Sequence, residues 1–232
     1  MGVTFASSCR QQDWQKLILD KKYLLENMIN RHGFAFEERM LIMSDVCNPG
    51  AIEKHGAELV RRGVLTGFHF AEDHIGPLLK FFQLKSQDFS DEAYWEALGI
   101  LCAIYLCRTK YLLYCASDTH LKEQVVWIPR SIAMLEKKEH YKVAGLIPGG
   151  QYLQTQKESR ETKDDFFVSD AKFSGRLFLV RTGDFRRPIY SEQTKEMAFL
   201  PGCDFFARRV FCFMKNHNWK KITYRYGSYY HN

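Results

Sequence analysis

Short apolar runs alternate along this chain with longer stretches of helical periodicity, and this alternation limits the folds that it can adopt. Continuous apolar runs predict buried strands at residues 3–7, 39–45, 64–70 and from 111 onward. Apolar residues at helical spacing predict helices at residues 14–29, 51–62, 94–107, 127–138 and 203–216. Strands and helices that alternate in this way predict an α/β fold with a mainly parallel central sheet and helices on both faces.

A polar group follows each of the four predicted strands. "SSCR" ends the first strand, Asp45 ends the second, "AEDH" follows the third and "SDTH" follows the fourth. In parallel sheets the ligands collect beyond the carboxyl ends of the strands, which lie at one edge. The sequence therefore predicts one ligand site at this edge, with Asp118 and His120 in it.

Asp118-Thr-His120 is a candidate metal-binding motif. Residues i and i+2 at the end of a strand can direct their side chains the same way. A carboxylate with an imidazole suits Mn²⁺ or another divalent ion that keeps open positions for phosphate oxygens. The alternative is an ordinary turn in which Asp118 caps the backbone, since short motifs often match by chance. The position after the fourth strand favours the metal site.

The composition is that of a globular protein with a large core. The chain has 232 residues, of which 46% are hydrophobic and 15% aromatic, which suits one large domain. Its longest apolar segment, residues 93–107, contains Glu96 and is shorter than the about 20 residues that span a bilayer. The N-terminus lacks the pattern of a secretory signal, and the seven cysteines form no C-x-x-C pair. We therefore expect a cytoplasmic protein with reduced thiols.

The net charge of +6 does not by itself indicate a nucleic-acid partner, because basic residues are interleaved with acids nearly everywhere. A modest positive field suits an anionic ligand such as a nucleotide diphosphate, and it also allows peripheral contact with an anionic membrane surface. We expect an anionic small-molecule ligand and no nucleic acid. The polar segment 147–165 is predicted to be a long loop, either a surface connection or a lid over the substrate.

The order of these elements, with "KYLLYCASDTHL" followed by "WIPRSIAML", resembles a glycosyltransferase of the GT-A fold, close to the family 2 type. In that family the fourth strand ends in a D-x-D motif, which holds a divalent metal against the diphosphate of the nucleotide sugar. The polypeptide N-acetylgalactosaminyltransferases carry D-x-H instead, and Asp118-Thr-His120 is similar to that version. Because the second acid of D-x-D is missing here, either His120 substitutes for it or metal dependence is lost.

The resemblance implies a single GT-A-like domain over residues 1–232. Residues 1–125 would bind the nucleotide sugar, and residues 126–232 would form a smaller acceptor-binding and catalytic lobe. It assigns nucleotide-sugar binding to Ser7, Ser8, Arg10, Asp45, Asp73, Gly76, Lys80, Ser117 and Asp118. It assigns a divalent metal, Mn²⁺ or Mg²⁺, to Asp118, His120 and His231. The alternative for His231 is an exposed residue near the end of the chain.

"FLPGCDFFARR", residues 199–209, is the second stretch that carries the resemblance. Family 2 enzymes place an acid at the start of a helix beside the acceptor site, and Gly202-Cys-Asp204 is similar to that arrangement. The resemblance implies that Asp204 is the general base that takes the acceptor proton, which would invert the anomeric carbon. The alternative is that Asp204 only caps the helix.

The predicted function is therefore that of a hexosyl- or pentosyltransferase, metal-dependent and inverting. It would move a sugar from a UDP- or GDP-linked donor to a carbohydrate or other hydroxyl acceptor. A dinucleotide-dependent or methyl-transfer enzyme needs a glycine-rich turn after the first strand, and "SSCRQQDW" contains no glycine. A non-catalytic nucleotide- or polyanion-binding α/β module is the other alternative, but it gives no reason for acids at successive strand ends.

Overall fold

The structure, a computed structural model, describes residues 2–18, 25–89, 94–170, 173–192 and 205–231. The strands within these residues form one sheet. In chain order they are β1 (Val3–Arg10), β2 (Glu38–Ser44), β3 (Gly67–Phe70), β4 (Tyr111–Cys115), β5 (Thr119–Leu121), β6 (Tyr141–Pro148), β7 (Glu161–Lys163), β8 (Phe166–Ser169), β9 (Leu177–Arg181) and β10 (Lys220–His231). The helices are α1 (Trp14–Ile18), α2 (Leu25–Asn30), α3 (Pro49–Arg61), α4 (Ile75–Phe82), α5 (Tyr94–Leu106), α6 (Ile128–Lys137), α7 (Tyr152–Glu158), α8 (Thr182–Phe185) and α9 (Phe205–Asn216).

The sheet has the order β3-β2-β1-β4-β9-β6-β10-β8-β7, with β5 paired to β10. The first four strands in this order are parallel to one another. β9 runs antiparallel to both β4 and β6, and β10 is parallel to β6. The predicted α/β architecture with parallel central strands is confirmed, and the antiparallel pairs involve strands that follow β4 in the chain.

Helices cover both faces of the sheet because its strands are apolar on both sides. Phe5 and Leu41 belong to a core shared with α1, α2, α3 and α6. Ala6 and Met40, one residue away in each strand, belong to a second core shared with α4, α5, α8 and α9. This is the two-residue alternation of a strand buried on both faces. Each large apolar side chain that is fully buried contributes roughly 1.5–3 kcal/mol to stability.

The structure differs from the sequence prediction in the segment 147–165, which was predicted as a loop. It contains the end of β6, the helix α7 and the edge strand β7. No residue of α7 is buried, so its helix carries no apolar stripe from which a periodicity could be recognised. β7 is only three residues long, with the sequence "ETK". Within the described residues, no helix combines the length and the apolar character that a membrane span requires.

A partly buried ion-pair network holds the corner between β9 and α8. Lys142 Nζ donates to both oxygens of Asp184, at 3.0 and 3.1 Å, and Arg181 Nε donates to Asp184 Oδ2 at 2.9 Å. The Arg181 guanidinium also donates to the carbonyl oxygens of Leu135 and Tyr141. This network fixes the carboxyl end of β9 against β6. It thereby sets the position of the whole strand, including its amino end.

His32 is a buried histidine that links the turn after α2 to the start of α6. Its ring is fully buried beside Phe5 and Phe36. Trp127 Nε1–H donates to His32 Nδ1 at 3.2 Å, so the ring proton lies on Nε2. Nε2 has no hydrogen-bond partner among the described residues. Burial lowers the pKa of His32 from 6.5 to about 3, because the charged imidazolium would lose its hydration.

The protein should therefore lose stability in mild acid through His32. The unfolded chain takes up a proton near pH 6.5, and the folded protein does so only near pH 3. This stabilising contribution is complete above pH 6.5 and falls as the pH drops below it, by up to about 1.4 kcal/mol per pH unit. The free energy of unfolding, measured with urea between pH 7 and pH 5, should therefore depend less steeply on pH in His32→Gln than in the parent. The exposed His55, changed to Gln, serves as the control and should leave the slope unchanged; an unchanged slope in His32→Gln would refute the assignment.

Candidate functional site

A cleft of about 600 Å³ opens at the carboxyl ends of β1, β2 and β4. Among the residues that line it are Ser8, Arg10, Ser44, Tyr114, Ser117, Asp118 and Arg176. α1 contributes Lys16 and Leu17 to one side of the cleft, and the first turn of α5 contributes Glu96. The parallel pairing of β1 with both β2 and β4 places these strand ends side by side. The predicted convergence of polar side chains is therefore present in Arg10, Ser117 and Asp118.

Arg10 and Asp45 form an ion pair beside the cleft. Arg10 Nη2 and Nε donate to Asp45 Oδ2 at 2.5 and 3.2 Å. Asp45 has a left-handed backbone, with φ of 58°, which aspartate tolerates better than most residues. The following loop is held on both sides, because Gln11 accepts from the Cys47 N–H and Glu72 accepts from the Val46 N–H. The residues predicted to hold the nucleoside are thus in contact with each other.

Ser8 and Tyr114 form the buried floor of the cleft. Their hydroxyl oxygens are 2.5 Å apart, and both side chains are buried. Burial raises the pKa of Tyr114 above its usual range, so its phenol stays protonated and can donate. α5 passes close above Ser8 at Gly99, where a Cβ atom would lie 2.7 Å from the Ser8 Cβ. Because a side chain at position 99 would not fit, the glycine permits this close packing.

Asp118 forms an ion pair with Arg176. Arg176 immediately precedes β9, and its carbonyl oxygen accepts from the Ala116 N–H at 2.8 Å. The guanidinium group of Arg176 donates to Asp118 Oδ2. The two side chains are 38% and 39% exposed, so the pair faces the open cleft. Asp118, the first residue of the D-x-H motif, thus has the positively charged Arg176 beside it.

The structure does not bring Asp118, His120 and His231 together as a metal site. His120 lies in β5 opposite Tyr230, and its ring centroid is 6.1 Å from that ring. His231 pairs with Thr119, the adjacent position, so the two histidines lie on opposite faces of the ladder. Among the described residues, no group of three or more His, Cys, Asp or Glu side chains could hold a metal ion. The side chains, as placed, do not fit a divalent ion.

A second pocket of about 380 Å³ adjoins the cleft. Glu96 and Arg176 line both spaces. The other polar residues that line the second pocket are Gln151, Gln154, Thr155, Glu158, Ser169, Ser174, Lys221, Thr223, Tyr229 and His231. Burial lowers the pKa of Lys221, and the negative charge of Glu158 opposes this effect. His231, which was predicted as a metal ligand, is one of the residues that line this second pocket.

The remaining predicted residues lie at different distances from the cleft. Ser7 is fully buried in β1 on the face opposite Ser8, so its side chain is closed off from the cleft, because neighbours in a strand alternate. Asp73, Gly76 and Lys80 are exposed on the turn and helix after β3, outside the cleft lining. Asp204 and its Pro-Gly turn lie outside the described residues.

Arg176 and Glu96 are two lining residues that the sequence analysis did not predict. The predicted site residues follow the carboxyl ends of parallel strands, where ligands collect. β9 is antiparallel to β4, so its amino end, where Arg176 lies, reaches the same edge of the sheet. The antiparallel direction of β9 is the signal that would have placed Arg176 at this edge. Glu96 lies in the first turn of α5, at a helix start that the apolar pattern alone does not connect to the cleft.

No protein-family model matches this chain, and no curated protein matches it. Solved structures do match. The structure of GalNAc-T7 with UDP, GalNAc and Mn²⁺ is 12% identical, with a TM-score of 0.58 over 100% of this chain and 44% of that chain. S. aureus TarS 1-349 in complex with UDP is 14% identical, with a TM-score of 0.51 over 99% of this chain and 60% of that chain. A further structure of S. aureus TarS is 11% identical, with a TM-score of 0.50 over 100% and 37% of the two chains.

These likenesses show the fold: the chain has the GT-A fold of glycosyltransferases. The predicted fold class is thereby confirmed. The chain spans less than two thirds of the length of each of these three structures, from 37% to 60%. At identities of 11–14%, the likeness carries the architecture alone.

The hydrogen bond between Ser8 and Tyr114 should contribute measurably to stability. Tyr114→Phe keeps the ring and removes the hydroxyl, which leaves the buried Ser8 hydroxyl without its partner. We expect a loss of roughly 1–3 kcal/mol in the free energy of unfolding, measured by urea denaturation. The control is Tyr226→Phe, at a tyrosine that is 62% exposed, where the change should stay within about 0.5 kcal/mol. Equal stabilities of the two variants would show that the bond contributes nothing.

Proposed function

We propose that this protein is a glycosyltransferase that binds a nucleotide-sugar donor in the cleft and a hydroxyl acceptor in the second pocket. One observation carries the proposal. The cleft at the carboxyl ends of β1, β2 and β4 meets the second pocket at Arg176 and Glu96. A transfer reaction requires the donor and the acceptor to be held next to each other, and two adjoining spaces on a GT-A fold can do this. The structures with a similar fold include one with UDP, GalNAc and Mn²⁺ and one with UDP.

The nucleoside of the donor would lie at the Arg10 end of the cleft. A volume of about 600 Å³ is within the usual range of small-molecule sites. Arg10 can stack on a base or donate to it, and Asp45 can accept from base or ribose donors. The diphosphate would then extend toward Ser117, Asp118 and Arg176. UDP- and GDP-linked donors remain the two candidates, and the sugar is a hexose or a pentose.

The second pocket suits a carbohydrate or other hydroxyl acceptor. Gln151, Gln154 and Thr155 present amide and hydroxyl groups from α7 and its amino end. Ser169 at the end of β8 and Ser174 before β9 add hydroxyls. Such groups can both donate to and accept from the hydroxyls of a sugar. The segment 147–165 would thus form part of the acceptor site. The division into a donor half, 1–125, and an acceptor half, 126–232, belongs to this proposal.

The chemistry that we propose is an inverting displacement of the family 2 type. The acceptor oxygen attacks the anomeric carbon, the bond from that carbon to the diphosphate breaks, and a carboxylate takes the acceptor proton. Asp204 is proposed as that base, on the sequence resemblance. The D-x-H motif alone predicts metal dependence, and the missing second acid leaves a metal-independent reaction as the alternative. Since Asp118, His120 and His231 do not converge, we derive no step through a metal ion.

Donor binding can be tested first, by screening UDP- and GDP-linked sugars for thermal stabilisation. A donor at 100 times its dissociation constant should add about 2.7 kcal/mol to the free energy of unfolding. Arg10→Ala should weaken donor binding by roughly 10-fold or more, because it removes a charged contact. The matched control is Arg61→Ala, whose partner Glu58 lies on the exposed face of α3. Stabilisation by no donor, or equal affinities of both variants, would refute the placement of the nucleoside.

The proposed base can be tested by the change Asp204→Asn. It should leave donor affinity nearly unchanged and lower turnover by roughly 100-fold or more, because a carboxamide cannot take a proton. The product should have the anomeric configuration opposite to that of the donor. Asp164→Asn, at an exposed aspartate, is the control and should retain turnover. A retained configuration, or normal turnover of Asp204→Asn, would assign the base elsewhere; donor binding without any transfer would favour the non-catalytic module.

A further inference from the structure

We propose that Arg176 supplies the positive charge that faces the donor diphosphate, in the role that a divalent metal ion would otherwise have, and that Asp118 positions this arginine. The inference rests on the proposed function and deepens it. It assigns a binding residue that the sequence motif does not include. It also predicts that nucleotide diphosphates bind to this protein without a metal ion.

The place of Arg176 in the fold is the first reason. It lies at the amino end of β9, next to the end of β4, where its carbonyl oxygen accepts from the Ala116 N–H. Its backbone is thus part of the sheet edge rather than of a free loop. Among the described cationic residues, Arg10 and Lys16 line only the cleft and Lys221 lines only the second pocket, whereas Arg176 lines both. A charge at this junction lies where the bond between sugar and diphosphate would break.

The pairing of Asp118 is the second reason. Its carboxylate accepts from the Arg176 guanidinium, which neutralises the negative charge that would attract a metal ion. A divalent ion at Asp118 would have a guanidinium as its neighbour, and the two like charges would repel each other. His120 and His231 lie on opposite faces of the β5–β10 ladder, so they do not complete a ligand set with Asp118. The same carboxylate that the motif predicts as a metal ligand instead orients an arginine.

The chemistry of arginine is the third reason. Its guanidinium group is planar, remains protonated at all relevant pH values and matches two phosphate oxygens at once. The Arg176–Asp118 pair is more than one third exposed on each side, and exposed pairs of this kind contribute little to stability. A diphosphate can therefore take a share of the Arg176 donors at low cost. Asp118 would keep one donor and hold the arginine in place.

In the transfer step, Arg176 would act on the leaving group. The new bond forms between the acceptor oxygen and the anomeric carbon, and the bond between that carbon and the diphosphate oxygen breaks. The acceptor proton passes to the carboxylate base, and the electron pair of the broken bond remains on the diphosphate. Arg176 would stabilise this added negative charge, which is strongest in the transition state and in the product.

Isothermal titration of the whole chain with UDP and GDP, each compared with its nucleoside, tests the inference. UDP or GDP, whichever the protein binds, should have the same dissociation constant in EDTA as in Mn²⁺ or Mg²⁺, within about twofold. Arg176→Gln should weaken the diphosphate by roughly 10- to 100-fold and leave the affinity for the nucleoside unchanged. Arg176→Lys keeps the charge without the planar guanidinium, so its affinity for the diphosphate should lie between those of the parent and Arg176→Gln. Arg160→Gln is the control, because Arg160 pairs with Asp170 away from the cleft.

Asp118→Asn separates the two roles by the sign of its effect. If Asp118 is a metal ligand, Asn should abolish diphosphate binding. If it positions Arg176, Asn should keep binding within about threefold of the parent or tighten it, since the arginine loses a competing anion. Binding that requires Mn²⁺ and disappears in Asp118→Asn would overturn the inference and leave the proposed function intact. Binding of neither diphosphate, with or without metal, would overturn both.

Discussion

The parallel pairing of β1 with β2 on one side and β4 on the other is the interaction on which the rest of the structure depends. β1 is buried along almost its whole length, so its backbone groups can be satisfied only by these neighbours. Its side chains alternate between two separate cores, one with α1, α2, α3 and α6 and the other with α4, α5, α8 and α9. The same pairing places the ends of the three strands side by side. The cleft exists because these buried strands stop at one level.

The second half of the sheet completes the site by reversing direction. β9 runs antiparallel to β4, so the segment that enters it arrives at the edge where the parallel strands end. β6 and β10 continue beyond it and end beside the second pocket. The two spaces thus share Arg176 and Glu96 in their lining. In the proposed function, the donor and the acceptor would bind in these two adjoining spaces.

Charge pairing is a common feature of the cleft. Arg10 pairs with Asp45 and Arg176 with Asp118, and Lys16 Nζ lies 3.9 Å from Asp13 Oδ1. All of these side chains are at least one third exposed, so water screens the pairs and each contributes only about 0–1 kcal/mol to stability. The carboxylates hold the cations in defined positions at little cost in binding energy. An anionic ligand then meets cations that are already oriented, which lowers the entropy lost on binding.

The class of the fold, and the sheet edge at which the cleft opens, could be predicted from the sequence alone. Apolar periodicity is local, so it identified β2, α3, α5 and α6 to within two residues, and strand-end polarity identified Arg10, Ser117 and Asp118. Only the tertiary structure decided which partners these residues contact. The pairing of Asp118 with Arg176 joins positions 58 residues apart, and the separation of His120 from His231 follows from the register of β5 on β10. Strand direction and register arise from contacts across the whole chain, and a local pattern of residues does not contain them.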